Sequence, residues 1–455
     1  MRRSDPEKRA RFYRERDRRT AEYDPQLKRW LEEPVGVVIG QAAAESRAGQ
    51  VALLALVNMI VRLHRNVTVG VPRVPLLARP LVPAHSLDEA VEATARAIDP
   101  FGRLVIVDPG RMRALPGVAI GMEDRLPLHI GWNGLQASIA ASTQAVGRGN
   151  RSLLGASLAA CLGAAGLLQL VTAAAPPSVV ASLADFGNEP AGGEQDAVGL
   201  PIDVGDVLLV GAGAVASGLL YWLREFGVIG RWLVVDRDGL FLHNTNRSIG
   251  TLVEQTEWPG GTPEPKAEVG ARLIGAEARV AWYHQWLGTE RDFRPALVLP
   301  LANDHDVRRL IGLRGEPLLV HATTSRDWTA ELHRHTMDVD ECIACRFPGG
   351  APTPAFACST AGIETGEGKA SDAALPFLSG AAGLLLLRAL TMHRKGDLVR
   401  LEHNIIRLGL GAYRPGFGRF SLLFAAAREG CKHVPSPVVR AILRGSSEEA
   451  RWQKP

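Results

Sequence analysis

This sequence predicts an α/β protein built from two doubly wound halves. Three observations carry the prediction: strands alternate with helices over residues 34–110, a strand, glycine turn, helix and strand follow one another over 206–236, and a glycine-, proline- and acid-rich segment separates them at 185–203. The chain of 455 residues has room for about two or three domains, each with its own core. A hydrophobic share of 46% against 22% charged residues excludes wholesale disorder. The net charge of +4 gives no global reason to expect nucleic acid or a membrane as partner. Arginine supplies nearly all the basic character, since only seven residues are lysine, so a lysine in a meaningful place carries extra weight. Five cysteines, unevenly spaced, do not make a disulfide framework, and a reducing cytoplasm is expected.

Residues 1–33 predict an arginine-rich helix with a solvated charged surface. A second domain pattern begins at 34 and runs to about 200. PVGVVIG reads as a strand, AAESRAGQVALLALVNMIVRL as a long helix, NVTVGV as a strand, SLDEAVEATARAI as a helix with Ser86 at its start, and RLVIVDPG as another strand. Its first strand ends in GQAAAE, which lacks the second glycine of a phosphate-binding turn. This half has the build of a nucleotide-binding domain without the means to bind. The alanine-rich run 153–175 is long enough to span a bilayer, and is read instead as a helix buried in a large core, with Cys161 as packing.

After a boundary near 200, DVLLV predicts a strand and GAGAVAS a tight turn opening the helix SGLLYWLREF. Gly211 and Gly213 let a phosphate approach backbone N–H groups at a helix N-terminus, and Ala216 stands where a third glycine would be. Asp236 ends the next strand, where a carboxylate accepts hydrogen bonds from ribose hydroxyls. A plain dinucleotide site needs no more than this. Here Asp238, Asn244, Arg247, Lys266 and, after another strand, Asp304 follow, and these residue types together suit a triphosphate with its Mg²⁺.

From about Val207 to Val434 the sequence resembles the ubiquitin-activating-enzyme superfamily, which includes the ThiF-type adenylyltransferases. GAGAVAS is similar to the family's nucleotide loop, DRDGLFLHNTNR to its acidic strand end followed by Asn and Arg, PEPKAE to its lysine segment, and ANDHDVR to its Mg-binding segment. The resemblance implies two Rossmann-like halves, degenerate over 34–200 and an active adenylation domain over 201–455. It implies that Asp236 holds ribose, with Asp238 beside it, that Asn244, Arg247 and Lys266 hold the phosphates of ATP, and that Asp304 coordinates Mg²⁺. The reaction implied is adenylation of the C-terminal carboxylate of a ubiquitin-like or sulfur-carrier protein, with pyrophosphate released and a downstream thiol acceptor protein as a further partner. Such a carboxylate is already a nucleophile at neutral pH, so positioned cations rather than a general base carry the chemistry.

The resemblance also implies a structural zinc site, a crossover loop at about 346–375 and a closing apolar helix. Cys342 and Cys345 form one CxxC pair; where the family has a second, this sequence offers Cys431 and His433. Reduced thiols without metal are the other reading of these residues. Cys358 in the loop stands where some relatives form a thioester and others do not, and both readings are kept. Two adenylation folds pair in this family, so the chain is expected to be a pseudo-dimer within itself, with homo-oligomerisation left open. RFYRE resembles the segment that sends an arginine into the ATP site, making Arg14 a candidate, although its arginine-rich surroundings favour solvated charge. Competing classes are adenylation of a small peptide in biosynthesis, an NAD-dependent oxidoreductase and a non-enzymatic binding protein.

Overall fold

The computed structural model describes residues 6–18, 25–122, 126–141, 152–172, 178–187, 201–290, 293–313, 316, 318–325, 327–347, 360–364, 370–411 and 416–431. Its N-terminal segment corrects the first expectation. Two helices stand there, α1 (Pro6–Arg16) and α2 (Pro25–Glu32), and α1 buries Phe12, Tyr13 and Arg16. Arg16 donates to Asp17 at 2.8 Å and to Asp99 at 2.9 Å, the Tyr13 hydroxyl donates to Asp99 at 3.1 Å, and Arg65 donates to Asp17 at 3.1 Å. Paired in this way, the charge can be buried, which an unpaired charge cannot afford.

The first half forms a seven-stranded sheet. Its strands are β1 (Val35–Ile39), β2 (Asn66–Gly70), β3 (Arg103–Val107), β4 (Gly117–Ile120), β5 (Leu128–Asn133), β6 (Gln136–Ala140) and β7 (Val179–Ser182), in the order β3-β2-β1-β4-β5-β6-β7. Strands β3 to β5 of that order run parallel, and β6 and β7 are antiparallel additions. Helices α3 (Gln41–Ala44), α4 (Arg47–Leu63), α5 (Leu87–Ile98) and α6 (Leu153–Thr172) accompany it. At the turn after β1, a side chain on Gly40 would meet the Gly121 carbonyl at 2.7 Å and Met122 at 2.9 Å. Protein therefore fills the place where a phosphate turn would need space.

The second half repeats the plan. A small ladder pairs β8 (Ile202–Asp203) with β10 (Val228–Ile229). The main eight-stranded sheet is made of β9 (Val207–Val210), β11 (Trp232–Val235), β12 (Glu277–Arg279), β13 (Leu297–Pro300), β14 (Leu318–Thr324), β15 (Thr329–Thr336), β18 (Ile405–Gly409) and β19 (Phe420–Leu423), in the order β12-β11-β9-β13-β14-β15-β18-β19. The first five in that order are parallel, and the last three are antiparallel. The chain leaves β9 toward β11 on one side and returns to β13 on the other, so a crevice opens at the carboxyl ends of β9 and β13. Around the sheet lie α7 (Ala214–Phe226), α8 (Lys266–Arg272), α9 (Tyr283–Thr289), α10 (His305–Gly312), α11 (Ile343–Arg346) and α12 (Pro376–Lys395). The segment expected as a crossover loop carries an antiparallel hairpin, β16 (Thr360–Glu364) with β17 (Ala370–Ala374).

One contiguous apolar core draws on both halves, joining residues of α4 and α6 to those of α7 and α12. Helix α6 is the one helix among the described residues long and apolar enough to cross a membrane, and it is mostly buried in this core, Cys161 included. Helices α7 and α12 pack backbone against backbone. A side-chain carbon on Gly218 would lie 2.2 Å from the Ser379 carbonyl oxygen, and one on Gly383 2.3 Å from the Leu219 nitrogen. Glycine at both places lets the two backbones touch.

Candidate functional site

The turn between β9 and α7 is built from two glycines with different reasons to be there. Gly211 has φ +96°, and a side-chain carbon on it would lie 2.4 Å from the Ala302 nitrogen on the loop after β13. Packing alone demands it. Gly213 caps α7 with φ −76°, and a side-chain carbon there would meet nothing within 4 Å. Space, not strain, is what Gly213 provides, and that space adjoins the N-terminus of a helix, where backbone N–H groups favour an anion. Asp236, just beyond β11, accepts from the Ala212 N–H at 2.6 Å and the Asp238 N–H at 2.8 Å, which fixes its carboxylate beside the turn. Burial pushes its carboxyl above the usual range, and the charge of Lys266 opposes the shift.

The remaining predicted residues arrive on separate elements. Lys266 opens α8, and its Nζ lies 3.0 Å from Asp238 Oδ2. Asn244 and Arg247 sit on the loop after β11 and are both 7% exposed. The Asn244 Oδ1 accepts from the Phe241 N–H at 3.0 Å, and Arg247 Nη1 donates to the His243 carbonyl at 3.3 Å. Asp304 caps α10, its Oδ1 accepting from the N–H groups of Asp306 at 2.8 Å and Val307 at 3.2 Å. All eight, namely Gly211, Gly213, Asp236, Asp238, Asn244, Arg247, Lys266 and Asp304, line one cavity of about 500 Å³ at the crevice between β9 and β13.

The same cavity holds residues that sequence reasoning passed over. Arg18 lines it, with Nη2 2.7 Å from His243 Nδ1, whereas Arg14 is exposed on α1 and is not among the lining residues. The N-terminal arginine thus comes from just past the end of α1, four residues beyond the expected one. The aromatic pair Phe12 and Tyr13 was the available signal, because their burial against Leu242 and Val253 turns α1 toward the cavity. Arg237 and Trp282 also line it, the guanidinium carbon 3.3 Å from the ring centroid. Four cationic side chains, Arg18, Arg237, Arg247 and Lys266, therefore face the carboxylates Asp236, Asp238 and Asp304. Such a mixed set can hold a polyanion and a divalent cation together.

A second cluster lies at α11. The sulfurs of Cys342, Cys345 and Cys431 all lie within 4.8 Å of one another, with Cys431 Sγ 3.4 Å from Cys342 Sγ and 3.3 Å from Cys345 Sγ. Tetrahedral zinc with bonds of about 2.3 Å to sulfur separates its sulfur ligands by roughly 3.8 Å, so these donors fit three corners of such a site. As thiols, Cys345 is pushed up to about 12 and Cys342 also upward, by burial first and by their sulfur neighbours. His433 and Cys358 lie outside the described residues.

Strands β14 and β15 carry a buried row of histidines that sequence reasoning did not single out. The rings of His321 and His333 stack at 4.6 Å and those of His321 and His335 at 5.0 Å. His335 Nδ1 donates to the Glu341 carbonyl at 2.6 Å, its Nε2 lies 3.1 Å from His321 Nδ1, and His333 Nε2 is 3.1 Å from Glu331. Burial holds all three below the usual histidine range, His335 at about 3. They pair across adjacent antiparallel strands, so no local motif reveals them.

Comparison with known proteins places the family match elsewhere. Residues 34–179 match the family described as the BilD N-terminal domain. The uncharacterized protein y4jF of Sinorhizobium fredii is 32% identical over 228 residues, which cover 47% of this chain and 41% of that protein. The chain thus spans about two fifths of the length of that curated relative. Among solved structures, E. coli MccB with AMPCPP and MccA is 11% identical with a TM-score of 0.36, covering 51% of this chain and 67% of that one. MccB with ATP gives 10% identity and a TM-score of 0.36, covering 67% and 97%. The microcin C7 biosynthetic enzyme MccB in complex with N-formylated MccA gives 11% and 0.37, again covering 67% and 97%. The family match falls on the first sheet alone, and apart from Arg18 the residues lining the cavity lie beyond it, from Val210 to Val307.

Proposed function

We propose that this chain is an ATP-dependent adenylyltransferase that activates the terminal carboxylate of a polypeptide. The observation that carries the reading is the meeting of all eight predicted nucleotide-site residues around one cavity at the switch point of the second sheet. In this reading the N-terminus of α7 and the open space at Gly213 receive the phosphates, and Asp236 takes the ribose. The Trp282 ring offers the base a face to stack on. Asn244, Arg247, Lys266 and Arg18 would surround the phosphates, and Asp304 would hold Mg²⁺, which would supply charge neutralisation.

The chain's own contribution is electrostatic. A carboxylate attacking the α-phosphorus meets like charge, and cations fixed in advance lower that barrier without reorganising during the reaction. Lys266 is already oriented by Asp238, and Arg247 by the His243 carbonyl, so both are held before substrate arrives. The three thiols would hold a structural zinc, with His433 as the fourth ligand. Transfer of the activated group to Cys358, a downstream thiol acceptor and a cytoplasmic setting all rest on the sequence.

Two polypeptide substrates fit. A ubiquitin-like or sulfur-carrier protein rests on the sequence resemblance. A short peptide in biosynthesis is the second reading, and it has a counterpart among the solved structures of related fold, MccB with ATP or with MccA. ATP–pyrophosphate exchange decides both the reaction and the substrate. Exchange that needs an added protein ending in Gly-Gly supports the first, exchange with a short peptide supports the second, and no exchange with either overturns adenylation.

A further inference from the structure

The first half has no phosphate turn of its own, yet two buried polar side chains of α4 end on the loop that carries Asn244 and Arg247. Asn58 and Arg62 lie one turn apart on α4 and are 0% and 1% exposed. Arg62 Nε donates to Asn58 Oδ1 at 2.7 Å. Its Nη1 donates to the Thr245 carbonyl, and its Nη2 to the carbonyls of Thr251 at 2.7 Å and Ile249 at 3.3 Å. The Asn58 amide adds a bond to the Ile249 carbonyl at 2.9 Å.

Among the described residues no carboxylate pairs with Arg62. A buried guanidinium is therefore satisfied by one neighbouring amide and by the carbonyls of a single loop. If that loop swung outward, a fully buried cation would lose most of its acceptors, which is among the costliest defects a fold can carry. Two further contacts hold the same loop. The Gly250 N–H donates to Ser217 on α7 at 2.9 Å, and Phe12 of α1 packs with Leu242. Thr245 and Ile249 bracket Asn246 and Arg247, so fixing their carbonyls fixes the backbone that aims the Arg247 side chain into the cavity.

We propose that the first half serves as a clamp that holds the 244–251 loop in its phosphate-facing conformation, with Arg62 as the positioning residue and Asn58 as its support. The proposal rests on the adenylation reading for its consequence, although not for the clamp itself. Arg62 acts through Arg247 and Asn244 and does not itself line the cavity.

The test uses the full chain with Arg62→Met, Arg62→Lys and Asn58→Ala. Hydrogen exchange without ATP reads the clamp, and the split between KM for ATP and turnover in pyrophosphate exchange reads its use. Arg62→Met is expected to speed exchange of the 244–251 amides at least tenfold while β9 and α7 keep their protection. It is also expected to raise KM for ATP at least tenfold, more than it lowers turnover, with partial recovery in Arg62→Lys. Unchanged protection at 244–251, or loss of protection spread evenly over the chain, overturns the clamp. Should Arg62→Met fail to fold, Asn58→Ala carries the same expectations in milder form. If wild-type protein exchanges no pyrophosphate, the adenylation reading fails, and hydrogen exchange still decides the clamp.

Discussion

Lys266 Nζ sits 3.0 Å from Asp238 Oδ2, although the two residues lie on different elements, α8 and the loop after β11. The Lys266 N–H also donates to the Asp238 carbonyl at 2.8 Å, so backbone and side chain are registered together. The Asp238 side chain is half exposed, and an ion pair of that kind contributes less than about 1 kcal/mol to stability. Lys266→Ala should therefore leave the melting temperature nearly unchanged while pyrophosphate exchange falls at least about 100-fold, as when a fixed transition-state charge is removed. Undiminished exchange would contradict the assignment.

The two glycines of the turn should respond oppositely to alanine. At Gly211, φ +96° and the Ala302 nitrogen at 2.4 Å leave no room, so Gly211→Ala should destabilise by about 2 kcal/mol or more. At Gly213 an added carbon meets nothing, so Gly213→Ala should keep stability within about 1 kcal/mol. Its methyl group enters the cavity instead, and ATP affinity should fall roughly tenfold, a loss of about 1.4 kcal/mol. Thermal melts and ATP titration of both variants separate the two outcomes.

The histidine row makes stability depend on acidity. His335 is held at about 3 and His64 at about 4, in each case by burial, and His321 and His333 are also lowered. Between those values and the unfolded value of about 6.5, the unfolded chain binds protons that the folded chain does not, so stability rises with pH. The stabilisation is complete above pH 6.5 and is lost as pH falls below it. At pH 5 the loss is about 2 kcal/mol each for His335 and His64. Urea unfolding at pH 7 and pH 5 checks the sign, and His335→Gln should flatten the slope.

The three sulfurs should hold about one zinc ion per chain after purification, measured by atomic emission. Cys345→Ser should abolish that content, and chelation of the wild type should lower its melting temperature by several degrees, since metal binding and folding are coupled. A wild-type chain that carries no zinc and is indifferent to chelators would mean that the cluster works as reduced thiols.

What the sequence disclosed and what it hid follow from the range of the forces involved. The turn at Gly211, the helix after it and Asp236 were legible because glycine spacing and apolar runs are local signals. Lys266 and Asp304 stood out through motif order along the chain. The buried face of α1 was hidden, because Arg16 is neutralised by Asp99, 83 positions away, and no periodicity records such a pairing. For the same reason Arg18 went unnoticed, its partner His243 being 225 positions distant, while Arg14 is exposed, as its arginine-rich surroundings implied. Strand β15, TAELHRHT, escaped because its histidines and Glu331 look solvated until β14 and β18 cover both edges. The strands β4 to β7 were missed because their apolar runs are only four to six residues long and are set among glycine and proline.

The glycine-to-backbone seam between α7 and α12 limits how the molecule can move. With Gly218 pressed on Ser379 and Gly383 on Leu219, neither helix can slide past the other without a steric clash, so they form one rigid beam under the second sheet. A closing movement on substrate binding must then be borne by parts of the second half outside that beam, with α7 and α12 moving as one piece.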